Sequence, residues 1–517
     1  MSRMRAATVA VLCGSLVRGA AARDAAPEEV LGYLRSVPAE GTAEREARHR
    51  RIAERRKGPV VIVHRGASSF APENTLEAYS AAMDQGADGC EVDVRRTKDG
   101  VLVLFHDDML DHLTDGFGDV SELTYVELLS LRPRSLYGNA TAQTRPPTFA
   151  SLLEVARKRA MLLHLDVKSK DLDEELGALL DTADAWDHVV AVNGETAPRL
   201  AKHEKVRILR YKPKAGIYET WLDVDPEAVK STLEGSGEMI MVGDPRVAAK
   251  VLGRTPSKLT PISLELRERW MAASPAQVAT RLGSVLEAID ALEKTEPCTS
   301  PGRDAEEDRK NAERILTRAR AAQRLGDLPA EDAAQRDRAV ASLEGAVRAR
   351  SLHRDWRWHG LDGAMAVLAL GRLRSTRSVS LLSDSLLRVD PALASVAAKE
   401  FGEHPLGWTD WRIKTYTMLA LADLPCEASR LCLEKYLSLG EGEARALAPE
   451  LHDLAARALL RQELSSKQLE GLLRSRSSVV RGTAILDCLD RASDAREAAL
   501  KACQPWALAL PRAAQTP

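Results

Sequence analysis

The sequence predicts an α/β TIM barrel, irregular in its last strands, followed by an all-α helical repeat domain of HEAT-like kind. Three observations predict it. Near the start, four short apolar runs each end in polar residues of catalytic type. Residues 60–63 lead into His64-Arg65-Gly66, Gly89-Cys90 into Glu91-Val92-Asp93, 101–105 into His106-Asp107, and 161–165 into Asp166-Val167-Lys168. Strands that deliver reactive groups at their C-terminal ends are how a parallel barrel builds a site. Helix-like segments separate most of these runs, as in successive βα units. Beyond Ala305 the chain is rich in Ala, Leu and Arg, which favours helix.

Taken in order, residues 1–22 read as a signal peptide. Arg3 and Arg5 supply charge, 6–17 is an apolar stretch, and Ala20-Ala21-Ala22 offers a cleavage site. That stretch is too short to span a bilayer. The expectation is an exported chain, periplasmic or extracellular, with no transmembrane span once the signal is cleaved. Residues 23–57 form a charged helical linker with basic runs at 48–51 and 55–57.

The barrel is placed at 58–273. Its helices are expected at 74–85, with Leu76, Tyr79, Ala82 and Met83 on one face, at 124–131, at 148–159 with Thr148 as N-cap, and at 172–182. Further strands are read at 188–192, 206–211, 238–242 and, weakly, 259–264. Eight strands in roughly 210 residues suit a TIM barrel. Residues 274–345 read as a helical linker and 346–517 as the repeat domain. Its segments 364–373, 414–424, 454–464 and 481–489 resemble second helices of pairs, with 379–387 and 428–437 as partners. A plain helical bundle is the alternative. The cluster His353, Trp356, Trp358 and His359 reads as a helix–helix core contact rather than a binding groove.

The 517 residues carry 73 Lys and Arg against 75 Asp and Glu, so no global field draws in nucleic acid, and none is expected as a partner. Six cysteines would follow cleavage, without CxxC or zinc spacing. In an oxidising compartment some of the five beyond Cys90 can pair.

Glu91 and Asp93 are two apart on a strand and so share a face. Two carboxylates at the mouth of a barrel repel one another unless a cation lies between them, and hard oxygen ligands favour Mg2+ or Ca2+. Asp166 completes the expected metal site from its own strand, and Lys168 on the same face offers positive charge to an anionic substrate. His64 and His106 flank the acidic strand and suit general acid and base roles near neutral pH. Arg65 is the better fork for phosphate oxygens. Such a set describes phosphodiester cleavage. His112 and His164 take no role in this scheme.

These residues also carry a resemblance. His64-Arg65-Gly66 followed by Pro72-Glu73-Asn74-Thr75 resembles the opening of glycerophosphodiester phosphodiesterases. So do residues 86–94, Thr97-Lys98-Asp99-Gly100, His106-Asp107, 114–120 and Pro147-Thr148, with the dense likeness covering 59–168. The resemblance implies a TIM-barrel hydrolase that cuts a small glycerophosphodiester into an alcohol and glycerol 3-phosphate. It implies metal ligands at Glu91 and Asp93, an acid/base pair at His64 and His106, phosphate contact at Arg65, and arrangement of metal and substrate by Glu73. The family's fourth-strand motif has Glu where this chain has Asp166, one methylene shorter. Two other readings stay open: a lyase that releases a cyclic phosphate, and a catalytically weak barrel acting as a binding module with the helical domain. A protein partner is expected through that helical domain.

Overall fold

The computed structural model describes residues 32–513 except 33, 135–139, 142, 169–171, 194–195, 205, 207–225, 236–237, 274–283, 301, 328, 354, 356, 388–407, 443–448 and 492. The expected signal segment and all but the first residue of the strand read at 206–211 lie outside the described residues. The chain forms two compact units. One runs to Val278 and takes back the chain from Leu510 onward, and the other is Ala279–Ala509.

The first unit is built on a curled parallel sheet, half of a TIM-like barrel. Its strands are β1 (Val60–Val63), β2 (Gly89–Arg96), β3 (Leu102–Leu104), β4 (Leu162–Val167), β5 (Val189–Val192) and β6 (Met239–Val242). The order is β5-β4-β2-β1-β6, with β3 attached to β2. All four residues of β1 are fully buried, as a β-branched strand covered on both faces should be. Pairing of β1 with β6, Val60 opposite Met239 and Val63 opposite Val242, brings a late strand beside the first. Val60, Ile62, Leu162, Val190, Met239 and Met241 pack with Ile52 into one core cluster.

Two strand expectations are corrected here. The run at 101–105 is a strand, but it pairs antiparallel with β2, Val94 opposite Leu104 and Arg96 opposite Leu102. Only Thr97-Lys98-Asp99-Gly100 and Val101 separate the two strands, whereas a parallel crossover needs a dozen or more residues. The turn is closed locally: Val101 N–H donates to Thr97 Oγ1 at 3.0 Å, the Thr97 hydroxyl donates to Asp99 at 2.6 Å, and Gly100 takes φ +78°. The strand expected at 259–264 is not one. Residues 254–263 pair in no ladder, and Leu264 begins the helix Leu264–Ala273. This segment is captured instead by Asp84, which accepts from the Thr260 backbone N–H at 2.5 Å and from the hydroxyls of Thr260 and Ser257.

Helices begin where their caps dictate. Thr75 accepts from Ala78 N–H and opens Leu76–Asp84, so that helix starts two residues later than the expected 74. Thr148 caps Phe149–Arg159 as expected, and Thr124 forms a capping box with Glu127 at the head of Tyr125–Ser130. The linker expected at 23–57 contains the helix Thr42–Arg55, which buries Arg48 and Ile52.

The second unit is helical throughout its described residues. Most of the span read as a linker at 274–345 falls in this unit, which begins at Ala279 and contains the helices Val285–Lys294, Ala305–Asp327 and Ala333–Arg348. The helix Leu361–Arg372 is almost wholly buried between Ala305–Asp327 and Trp408–Ala422. A Cβ on Gly371 would stand 2.5 Å from the Ala420 Cα, so glycine is what lets those two helices approach. Arg318 and Asp362 form a buried ion pair at 2.6 Å, with the guanidinium also donating to the Leu292 and Thr295 carbonyls. Shared donors of this kind are what make a buried charge tolerable. His353 and His359 are buried in the loop before the helix Leu361–Arg372 rather than at a contact between two helices, His353 Nε2 against the Asp308 carbonyl and His359 Nδ1 against the His353 carbonyl, and Trp356 lies outside the described residues. The six described cysteines are free thiols, and no described helix is long and apolar enough to cross a membrane.

Candidate active site

The site begins with a sharp turn after β1. Arg65 stands at φ +53° and Gly66 at φ +81°. A side chain on Gly66 would lie 2.9 Å from the Ala78 backbone, so the chain can turn this tightly against the helix only with glycine there. The turn aims the Arg65 backbone N–H at Glu91 Oε2, 3.0 Å away, and its guanidinium at Glu73 (3.1 Å) and Asp93 (3.3 Å).

The register of β2 against β4 sets Asp93 directly opposite Asp166, and Glu91 opposite His164. Carboxylate oxygens of Glu91, Asp93 and Asp166 all lie within 4.8 Å of one another. Glu91 and Asp93 are 2% and 0% exposed, so water does little to separate their charges. Lys168 Nζ bridges the other pair, 2.9 Å from Asp93 Oδ1 and 2.6 Å from Asp166 Oδ2.

Burial and then the Asp93 charge push the Glu91 carboxyl well above its usual range. Asp93 goes the other way: burial opposes its charge, but His106, Arg65, Lys168 and the Asn74 amide together hold it below the usual carboxylate range. Lys168 is buried too, yet Asp93 and Asp166 hold its ammonium firmly charged. His64 is pushed well below its ordinary value, chiefly by burial and then by the Arg65 charge, and is neutral near pH 7.

The hairpin explains how His106 arrives. Because β3 runs back along β2, Phe105 N–H donates to the Asp93 carbonyl, and His106 follows at the level of the acids. Arg95 fixes the His106 carbonyl with two donors, at 2.9 and 2.6 Å. His106 Nδ1 is 2.6 Å from Asp107. The structure therefore gathers Arg65, Glu73, Glu91, Asp93, His106, Asp166 and Lys168 around one rim, with His64 in the field of Arg65, Asp93, His106 and Lys168.

Three residues here, Asn74, Asn193 and His112, had no assigned role in the sequence. Asn74 donates to Asp93 Oδ2 at 2.7 Å and accepts from the Tyr79 hydroxyl at 2.7 Å. Asn193 donates to Asp166 Oδ1 at 3.2 Å. His112 shares the Asp107 carboxylate. The αL-tolerant Asn74, at φ +55° just before a cap, is the one with a local signal.

The sequence profile of the glycerophosphoryl diester phosphodiesterase family matches residues 64–216. A glycerophosphodiester phosphodiesterase of Caldanaerobacter subterraneus is 32% identical over 172 residues, 31% of this chain and 70% of that protein. The chain belongs to this family. The mouse glycerophosphodiester phosphodiesterase 1 is 38% identical over 109 residues, 21% of this chain and only 33% of that protein. A solved glycerophosphodiester phosphodiesterase from Agrobacterium tumefaciens is similar at 30% identity, covering 28% of this chain and 61% of that one, with a TM-score of 0.25.

The donor set fits the divalent cation that the family implies. Among the described residues, Glu73, Glu91, Asp93 and Asp166 form ion pairs with two fixed cations, Arg65 and Lys168. A hard cation among three carboxylates would relieve that excess. It would be held by Glu91, Asp93 and Asp166.

Proposed function

We propose that this chain hydrolyses glycerophosphodiesters to an alcohol and glycerol 3-phosphate. The observation that carries the reading is the meeting of three carboxylates with His106, Lys168 and Arg65 at one sheet rim, in a chain of this family. Bound there, Mg2+ or Ca2+ would supply Lewis-acid stabilisation of charge on the phosphoryl oxygens.

The protein's own groups divide the rest of the work. Lys168 and Arg65 attract the phosphodiester and neutralise charge as it builds. His64, neutral near pH 7, accepts the proton of the attacking water as its oxygen bonds to phosphorus. The bond from phosphorus to the alcohol oxygen breaks, and His106 Nε2 protonates that oxygen. Asp107 accepts the Nδ1–H of His106, which leaves Nε2 as the nitrogen that exchanges a proton. Glu73 holds the Arg65 guanidinium in place.

The reading includes export, on the order of charged, apolar and small residues at 1–22. A protein partner for the helical unit is proposed from its repeat-like sequence pattern alone.

A panel of glycerophosphodiesters incubated with and without chelator tests the reading. Glycerol 3-phosphate should form, stop on chelation and resume on adding Mg2+ or Ca2+. Phosphorus NMR that finds only a cyclic phosphate would replace hydrolysis by a lyase reaction. No turnover, together with no heat of cation binding, would leave a binding module.

A further inference from the structure

One carboxylate holds two imidazoles. Asp107 Oδ1 lies 2.6 Å from His106 Nδ1, and Oδ2 lies 2.5 Å from His112 Nδ1. The three side chains are 12–21% exposed, so water competes weakly for these bonds. The loop that presents His112 is itself tied down. Leu110 N–H donates to the Gly118 carbonyl, Val120 N–H to Asp108, and Thr114 bonds back to Leu110 through both its N–H and its hydroxyl.

We propose that His112 is a positioning residue for phosphodiester cleavage, holding Asp107 by its second oxygen so that the first faces His106 Nδ1. This rests on the reading of His106 as the general acid. An aspartate held by a single donor can rotate about χ2, and His106 Nδ1 then loses its acceptor. Held at both oxygens, the carboxylate keeps the imidazole in one tautomer and one plane, with the transferable proton on Nε2. Burial opposes protonation of His112, but the Asp107 charge outweighs it and raises His112 above its ordinary value, as expected of a standing donor. His112 itself touches neither phosphate nor cation in this scheme.

The test compares two substrates that share the glycerophosphate half. An alkyl ester needs its leaving alkoxide protonated, whereas a p-nitrophenyl ester does not. In His112→Ala, kcat on the alkyl ester should fall about 100-fold, the scale of a 1 Å misplacement, with KM little changed. On the p-nitrophenyl ester kcat should stay within about threefold, since no acid is required there. His112→Asn, whose Nδ2–H can stand where the imidazole Nδ1–H does, should restore most of the alkyl rate. A merely structural role would lower both substrates together. Should the alanine variant not fold, His112→Phe keeps the volume without the donor and carries the same comparison.

If His106→Ala shows the leaving-group split and the His112 variants do not, the positioning role is overturned and the reading of the site survives. If wild-type protein cleaves neither ester, the reading itself fails.

Discussion

Asn74 does at the scale of a residue what the sequence pattern could not announce. It occupies φ +55°, where a β-carbon is costly, and its amide orients Asp93 while its carbonyl accepts from Tyr79. Asn tolerates that conformation, and alanine there costs about 1–2 kcal/mol. Asn74→Ala should therefore lose stability and activity together, whereas Asn74→Gly relieves the backbone while removing the donor to Asp93 and the acceptor for Tyr79. Thermal melts and kcat on the same preparations check this: the glycine variant should melt above the alanine variant yet turn over at least about tenfold slower than wild type, given a charge-assisted bond of roughly 1.5–3 kcal/mol. Full activity in Asn74→Gly would mean Asp93 needs no such guide. His106→Ala should cost about 10²–10⁴ in kcat with an unchanged melting temperature. His64, Glu91, Asp93, Asp166 and Lys168 were all legible because each ends an apolar run. His112 was not, because its role exists only through a carboxylate five residues away.

At the scale of elements, the closeness of β2 and β4 is what sets Asp93 against Asp166. Gly89 makes that closeness possible, since a Cβ would meet the Leu162 carbonyl oxygen at 2.0 Å. Gly89→Ala should destabilise the protein by about 3 kcal/mol or more, read from a urea midpoint. It should also weaken cation binding by moving one carboxylate pair apart. A variant with wild-type stability would show that the strands can part freely. The third apolar run shows where element-level reading stops. Its strand character was plain from 101–105, but its direction depended on counting the residues of the turn before it. The last expected strand failed for a different reason: Asp84 competes for the backbone of 257–260, and no local pattern announces a distant carboxylate.

At the scale of the molecule, the helix Thr42–Arg55 anchors a charged layer against the sheet unit. Arg48, fully buried, donates to Glu40 and to the Asp184 carbonyl, and meets His188 Nε2 at 3.2 Å. His188 Nδ1 donates to the Met161 carbonyl at 2.6 Å, so its other nitrogen must stay an acceptor. Burial then drives the imidazole down to about 4. In the unfolded chain it titrates near 6.5. Between those values the unfolded state binds the extra proton, so stability is complete above about pH 6.5 and is lost as pH falls toward 4, on the order of 3 kcal/mol. Denaturant midpoints across that range should fall in wild type and flatten in His188→Gln, whatever its absolute stability. An unchanged slope in the variant would assign the acid loss to other groups.

The sequence by itself determined the alternation of strands and helices, the helix-rich second half, the family motifs, and which acids and imidazoles end their strands. Periodicity, capping and strand-end chemistry are properties of neighbours in the chain. Only the tertiary structure decided the antiparallel return of β3, the inclusion of 279–345 in the helical unit, the bridging of Asp93 and Asp166 by Lys168, and the clamp of Asp107 between two imidazoles. Each of those depends on which distant groups share a buried space, and desolvation there decides which charges must pair.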